Sequence, residues 1–385
     1  MSRIVVGLSG GVDSSVAALL LQEQGHEVIG IYMRNWNDES VTINNECPWI
    51  DDANDAMLLA DHLGIPFQVM DFSDDYKRRI VDYMFDEYEA GRTPNPDVLC
   101  NREIKFDAFL KAAMELNADF VATGHYCRKR ENPDGSFSLL SGLDSNKDQS
   151  YFLCQVSQEQ LSKALFPVGE LQKSDVRSLA ENAQLPTAKK KDSQGLCFVG
   201  KVKLPVFLQQ QLAPKSGDVI ELPRNHQYFP DVADSNDSRF YVQPDWPEGI
   251  VIGTHQGAHF YTVGQRKGLG IGGRSTPLFV VGVDTKKNHV YVAEGDDHPA
   301  LLRWGLRMEI DTENWPGGTP LLSEGEQMEV NTRIRYRQPL QDATLLRKNG
   351  ALHLWFREKQ KAITPGQFAA WYNSQDELLG SGVIV

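Results

Sequence analysis

Three short stretches hold reactive side chains at spacings that suit chemistry. "LSGGVDSS" (Leu8–Ser15) follows the apolar run Ile4, Val5, Val6 and precedes a helix-like segment. Glycines at such a turn let backbone N–H groups close around an anion, and the helix that follows adds its positive end. The loop therefore reads as a phosphate cradle, with Ser9, Ser14 and Ser15 as extra donors. The lysine that a Walker-type loop places before its Ser/Thr is missing; Val12 and Asp13 stand in that stretch. In "GRTPNPDVLCNREIKF" (Gly91–Phe106), two prolines stiffen the chain before Asp97, and Cys100 follows three residues later. Arg102 and Lys105 would favour the thiolate, which matters because an ordinary thiol with pKa about 8.5 is mostly protonated at neutral pH. Asp97 is either a turn residue or a general acid or base. The third stretch, "KKKDSQGLCFVG" (Lys189–Gly200), sets Cys197 after three lysines and between Gly195 and Gly200. The two cysteines lie far apart in sequence, so any partnership between them is spatial.

The elements that would carry these groups alternate in the first third of the chain. Ile4–Leu8, Val28–Met33, Ile65–Phe72 and Asp119–His125 read as strands. Between them Ser14–Gln24, Asp51–Leu63, Tyr76–Ala90 and Phe106–Leu116 read as helices, with Gly25, Gly64 and Gly91 as stops. Such alternation predicts an α/β unit with a doubly wound parallel sheet, whose ligands sit beyond the carboxyl ends of the strands. The glycine loop, Met33, Gly124 and His125 all fall at such ends.

Residues 126–203 hold a hairpin around "NPDG" (Asn132–Gly135), two short helices and the Cys197 loop. Residues 213–276 are rich in glycine and proline and contain a basic glycine-rich run, "TVGQRKGLGIGG" (Thr262–Gly273). From Pro277, period-two alternation predicts an all-β, closed or nearly closed domain. The expected domains are thus 1–203, a small mixed central unit at 204–276, and a β-barrel at 277–385. In "MEVNTRIRYR" (Met328–Arg337), strand alternation puts Arg333, Arg335 and Arg337 on one face, a ridge that phosphates could line.

Composition bounds these readings. The chain has 385 residues, 24% of them charged, and five cysteines without a CxxC pair, which disfavours a disulfide scaffold or a structural zinc. No apolar run reaches the roughly 20 residues of a membrane span. No signal peptide is apparent either, so a cytoplasmic protein is expected. The net charge of −13 does not exclude a polyanionic partner, because it is concentrated. Residues 37–90 hold 14 acidic against 3 basic residues, and the stretch Pro223–Gly249 holds 5 against 2. That second stretch reads as an acidic insertion in the central unit. Basic clusters elsewhere, at Lys189–Lys191, Lys201 with Lys203, and the three arginines, decide where a polyanion could dock.

The SGGVDSS string resembles the pyrophosphate loop of the ATP pyrophosphatase superfamily, whose members cleave ATP between the α- and β-phosphates. Taken with the two cysteine motifs and with "TGHY", "KDQSYFL", "YTVGQRKGLGIGG" and "RIRYRQ" in order, the chain resembles the tRNA-specific 2-thiouridylase family along nearly its whole length. The resemblance implies ATP and Mg²⁺ as cofactors, bound by Gly7, Leu8, Ser9, Gly10, Gly11, Val12, Asp13, Ser14, Met33 and Gly124, with Asp13 on the metal. It implies catalytic roles for Asp97, Cys100 and Cys197, the last carrying a persulfide received from a sulfur-relay protein. It further implies contacts from Asn95, Pro96, Asp97, His125, Lys147, Asp148, Gln149, Arg335, Tyr336 and Gln367 to the anticodon stem-loop of tRNAs for Lys, Glu and Gln. Cys47, Cys127 and Cys154 are read as structural. Three alternatives stay open from sequence: an amide-forming synthetase on the same loop, an ATP-sensing tRNA-binding protein, and an iron–sulfur centre on Cys100 and Cys197.

Overall fold

The computed structural model describes residues 1–36, 48–191, 204–209, 211–224 and 246–385. Cys47, Cys197, Lys201, Lys203 and most of the acidic insertion lie outside the described residues. Strands β1 (Arg3–Gly7), β2 (Glu27–Arg34), β3 (Phe67–Asp71) and β4 (Phe120–Ala122) appear near the positions read from sequence. Helix α1 (Val12–Glu23) follows β1, and α2 (Pro48–Leu63) follows β2. Two longer helical runs, 73–89 and 96–115, each contain a π-helical turn, at Lys77–Val81 and Cys100–Ala108. The second of these wide turns begins at Cys100 itself, and such bulges are frequent at functional sites.

Beyond the hairpin β5 (Cys127–Glu131) and β6 (Phe137–Ser141), a two-residue strand β7 (Ala164–Leu165) completes a five-stranded sheet. Its order is β3-β2-β1-β4-β7, with every neighbouring pair parallel. Strand alternation gives this sheet two apolar faces. Ile4 and Val6 join α1, α2 and helix Lys173–Asn182 in one core, while Val5 faces Ile80, Met84, Ile104 and Phe109 in the other. Helices therefore cover both faces, as parallel strands require. The order reverses between β1 and β4, which opens a crevice at their carboxyl ends.

The central unit is a four-stranded sheet of order β10-β11-β8-β9, with β8 at Gly217–Glu221, β9 at Ile250–His255, β10 at Leu278–Asp284 and β11 at His289–Glu294. A domain break at 276/277 would cut this sheet, since β11 pairs in parallel with β8. That boundary is therefore corrected: the last domain begins after β11. Period-two alternation cannot tell which sheet a strand joins, which is why 278–294 reads from sequence as barrel.

The C-terminal sheet runs β12 (Leu302–Arg307), β15 (Ala351–Lys361), β14 (Gln341–Lys348), β13 (Gln327–Arg333), β16 (Phe368–Tyr372), β17 (Glu377–Val383), then β6 and β5. Residues after β12 bridge back to β17 and the residue that follows it, Met308 with Ile384 and Asn314 with Ser381, and this closes the barrel. Leu306, Val330, Leu345, Phe356 and Trp371 fill it. The N-terminal hairpin thus adds its strands to the barrel wall, and the two domains share a sheet.

Candidate active site

The glycine loop lies at the β1/β4 reversal. Gly11 precedes α1 in extended conformation and no side chain caps the helix, which leaves its first N–H groups without a side-chain acceptor. Serines shape the loop: Ser14 Oγ accepts from Ser9 N at 3.1 Å, and Ser15 Oγ donates to Gly11 O at 2.8 Å. Gly124 is needed for close approach to backbone, whereas Gly7 meets only the flexible end of a side chain. A Cβ on Gly124 would fall 2.6 Å from Ser14 N, and one on Gly7 would fall 3.1 Å from the methyl of buried Met33. Gly7 thus packs against Met33, and Gly124 against the start of α1. Gly124→Val should destabilise the loop–helix junction and abolish nucleotide binding, which a thermal melt with and without ATP would read.

Asp13 is not an open carboxylate. Lys173 Nζ donates to both of its oxygens, at 2.7 and 2.8 Å, and Tyr126 Oη donates to one at 2.7 Å. The Lys173 side chain is 12% exposed, and Asp144 accepts its backbone N–H. An ammonium that the loop's own sequence lacks is thus placed beside it, from the helix Lys173–Asn182. No sequence signal marks it. Asp13 offers the single carboxylate that a phosphate-bound Mg²⁺ uses, but as arranged it holds an ammonium, so the residues do not present a ready metal site. Among the described residues no three His, Cys, Asp or Glu side chains gather as metal ligands.

The second half of the site is the loop into helix 96–115. Asn95 caps that helix by accepting from Val98 N at 3.3 Å, and Pro96 starts it with its φ already set. Asp97 is partly exposed, whereas Cys100, a thiol one turn on, is 0% exposed. Arg102 engages Glu103 and Gln155, and Lys105 lies 3.4 Å from His125 Nε2. The two cations expected beside Cys100 thus have other bonded partners. Cys127 and Cys154 are buried thiols; burial pushes Cys154 up to about 12 and raises Cys127 as well, so both stay protonated.

The barrel clamps this loop from outside. Gln367 Nε2 donates to Thr93 O at 2.8 Å and Pro94 O at 3.1 Å, and Asn95 Nδ2 donates to Gln367 Oε1 at 3.3 Å. Thr93 N donates to Pro365 O at 2.8 Å, and Gly366 has φ +89° with Thr93 backbone 2.9 Å from where its Cβ would be. Gln367 is therefore a positioning residue for the segment that leads to Cys100. Gln367→Ala leaves two carbonyls without these bonds, each worth about 1 kcal/mol. Alkylation of Cys100 by a small reagent should then quicken about tenfold, while core Cys127 and Cys154 stay unlabelled; mass mapping of the peptides checks this.

Several residues expected at an RNA surface are covered. His125 is 7% exposed, with Nδ1 2.7 Å from Thr123 Oγ1, and burial holds its imidazole well below the ordinary range. Asp148, 4% exposed, accepts from Gly142 N and from Ser150 N and pairs with Arg333 at 3.0 Å. Gln149 accepts from Tyr126 N, and Lys147 is partly exposed. The arginine ridge does not form. Strand β13 ends at Arg333, which is buried against Asp148 and Tyr372; Arg335 turns to Ala362 O, and Arg337, at φ +62°, lies over the Tyr336 ring. Tyr336 packs on Phe152 at 4.2 Å. Lys190, expected to supply positive potential near Cys197, is ion-paired to Asp52 and Asp55.

Residues 2–201 match the family described as tRNA methyl transferase HUP domain, 243–294 the PRC-barrel domain of the same series, and 307–384 an aminomethyltransferase beta-barrel domain. A tRNA-specific 2-thiouridylase from Christiangramia forsetii is 57% identical over 100% of both chains. The chain belongs to the tRNA-specific 2-thiouridylase family. A second 2-thiouridylase, from Flavobacterium johnsoniae, is 56% identical over the same full coverage. A solved 4-thiouridine synthetase–RNA complex with bound ATP is a distant likeness, 15% identical with a TM-score of 0.32, over 55% of this chain and 50% of that one. Among the described residues, no helix is long and apolar enough to cross a membrane.

Proposed function

We propose that this protein catalyses ATP-dependent 2-thiolation of the wobble uridine of tRNA, acting in the cytoplasm. The full-length identity to proteins named tRNA-specific 2-thiouridylase carries the reading. The packing of Gly124 against the start of α1, beside the glycine loop, supports it, as does the clamped segment that leads to Asp97 and Cys100. The uridine, turned out of its stack, attacks the α-phosphate of ATP through O2 and pyrophosphate leaves. The terminal sulfur of a persulfide on Cys197, loaded by a relay protein, then bonds to C2. Cys100 attacks the Cys197 sulfur, a Cys100–Cys197 disulfide forms, and AMP departs with the former O2 as C2=S is established. Asp97 moves the proton. Lys173 and the α1 N-terminus hold the phosphates, and Mg²⁺ carried by them would compete with Lys173 for Asp13. Mass spectrometry of tRNA for Lys, Glu or Gln, after incubation with ATP, Mg²⁺ and a persulfide donor, tests the reading. Sulfur should replace oxygen at position 34 only, and Cys100→Ser and Cys197→Ser should each abolish that gain. Acylation of an amine instead would favour the synthetase reading, and no product at all the ATP-sensing one.

A further inference from the structure

The glycine-rich run Thr262–Gly273 has no part in the chemistry above, yet it starts beside the catalytic loop. Thr93 Oγ1 donates to Thr262 Oγ1 at 3.2 Å, and a Cβ on Gly264 would meet Ala362 at 2.8 Å, with Arg335 Nη2 3.9 Å away. We propose that the loop 262–274 is a docking surface for the sugar–phosphate backbone of the RNA, with Arg266 and Lys267 on phosphates and the glycines admitting the chain at close range. This inference rests on tRNA being the substrate.

Charge, shape and bracing each support it. Arg266 and Lys267 are exposed and, among the described residues, neither makes an ion pair or a side-chain hydrogen bond. Nearby Arg274, by contrast, is held by Glu221 at 2.6 and 2.8 Å. The run borders a cleft of about 510 Å³ whose wall includes Gly268, Gly270, Gly272 and Gly273 together with Arg266 and Arg274. Around Gly270, Gly272 and Gly273 a Cβ would meet nothing within 4 Å, so a ligand can approach the main chain directly. The first half of the loop is braced by the protein itself. Gln265 accepts from Thr262 N and donates to Lys267 O, and Gly264 N and Val280 N tie the loop to β10. Two exposed, uncompensated cations, Arg266 on the cleft wall and Lys267 next to it in the chain, suit a polyanion that offers several phosphates in a row, and electrostatic contacts of that kind carry a salt dependence.

The test measures binding of unmodified tRNA to the full-length protein between about 50 and about 200 mM salt. R266A/K267A should bind about tenfold more weakly at the low-salt end. Its log–log salt slope should fall by about 1 to 2, since each phosphate contact contributes about 0.7–0.9. Gly272 is outside the positive-φ region and has open space around it, so Gly272→Val should melt like the wild type yet also lose affinity. Wild-type affinity and slope in both variants would overturn the docking surface. So would a change in ATP or pyrophosphate affinity without a change for tRNA, which would make the loop a small-anion site. Failure of the wild type itself to bind tRNA would instead strike the proposed function.

Discussion

Lys173→Met should lower ATP affinity by about 3 kcal/mol, roughly 150-fold. Lys173 joins Asp13 in a pair whose side chains are 12% and 31% exposed, braced by Tyr126. Without the ammonium, the α1 N-terminus must receive a polyphosphate next to an uncompensated carboxylate. The loss therefore has two sources, one donor fewer and one repulsion more. The converse variant separates them. With divalent cations chelated, Asp13→Asn should bind ATP more tightly than the wild type, because Lys173 is released toward the phosphates and the repulsion is gone. Calorimetric titration of both variants, with and without Mg²⁺, checks the pair. Equal affinity of Lys173→Met and wild type would show that the ammonium serves only the resting loop.

Why the loop was legible and its lysine was not follows from range. The SGGVDSS turn, its strand and its helix are contiguous, from Arg3 to Glu23, so their arrangement is written in one stretch of chain. Likewise, Gly25, Gly64 and Gly91 all adopt positive φ at helix ends, where sequence alone marks them. Lys173 reaches Asp13 across 160 positions from an ordinary amphipathic helix, and nothing local sets it apart from a solvated lysine. The same limit explains β7, whose two residues enter the sheet only because β4 offers them a neighbour. It also explains the arginine strand. Alternation is correct for Val330 and Thr332, which are buried, but β13 ends once Tyr336 finds Phe152 and the chain turns through Arg337. A period of two cannot announce where tertiary packing stops a strand.

Arg333→Met should destabilise the assembly of barrel and N-terminal domain by about 3–5 kcal/mol, the range for removing one partner of a buried pair. Arg333 lies 5.0 Å from the Tyr372 ring, and its Asp148 partner sits in the turn that follows β6, the strand that the N-terminal domain lends to the barrel. Tyr372 Oη and Ser150 Oγ, 3.1 Å apart, close the same network. Met can fill the stem of the arginine but leaves the carboxylate buried with only Ser150 and the Gly142 N–H as hydrogen-bond donors. Asp148→Asn in the same chain should recover much of the loss, because a neutral amide no longer needs the guanidinium. Denaturant unfolding followed by tryptophan fluorescence would read it, with Trp371 buried inside the barrel. Because Phe152 and Gln155, a few residues after Asp148, support Tyr336 and Arg102, the same variant should also loosen the Cys100 segment and raise its labelling. If stability fell while Cys100 stayed sheltered, the Gln367 clamp alone would suffice to hold the loop.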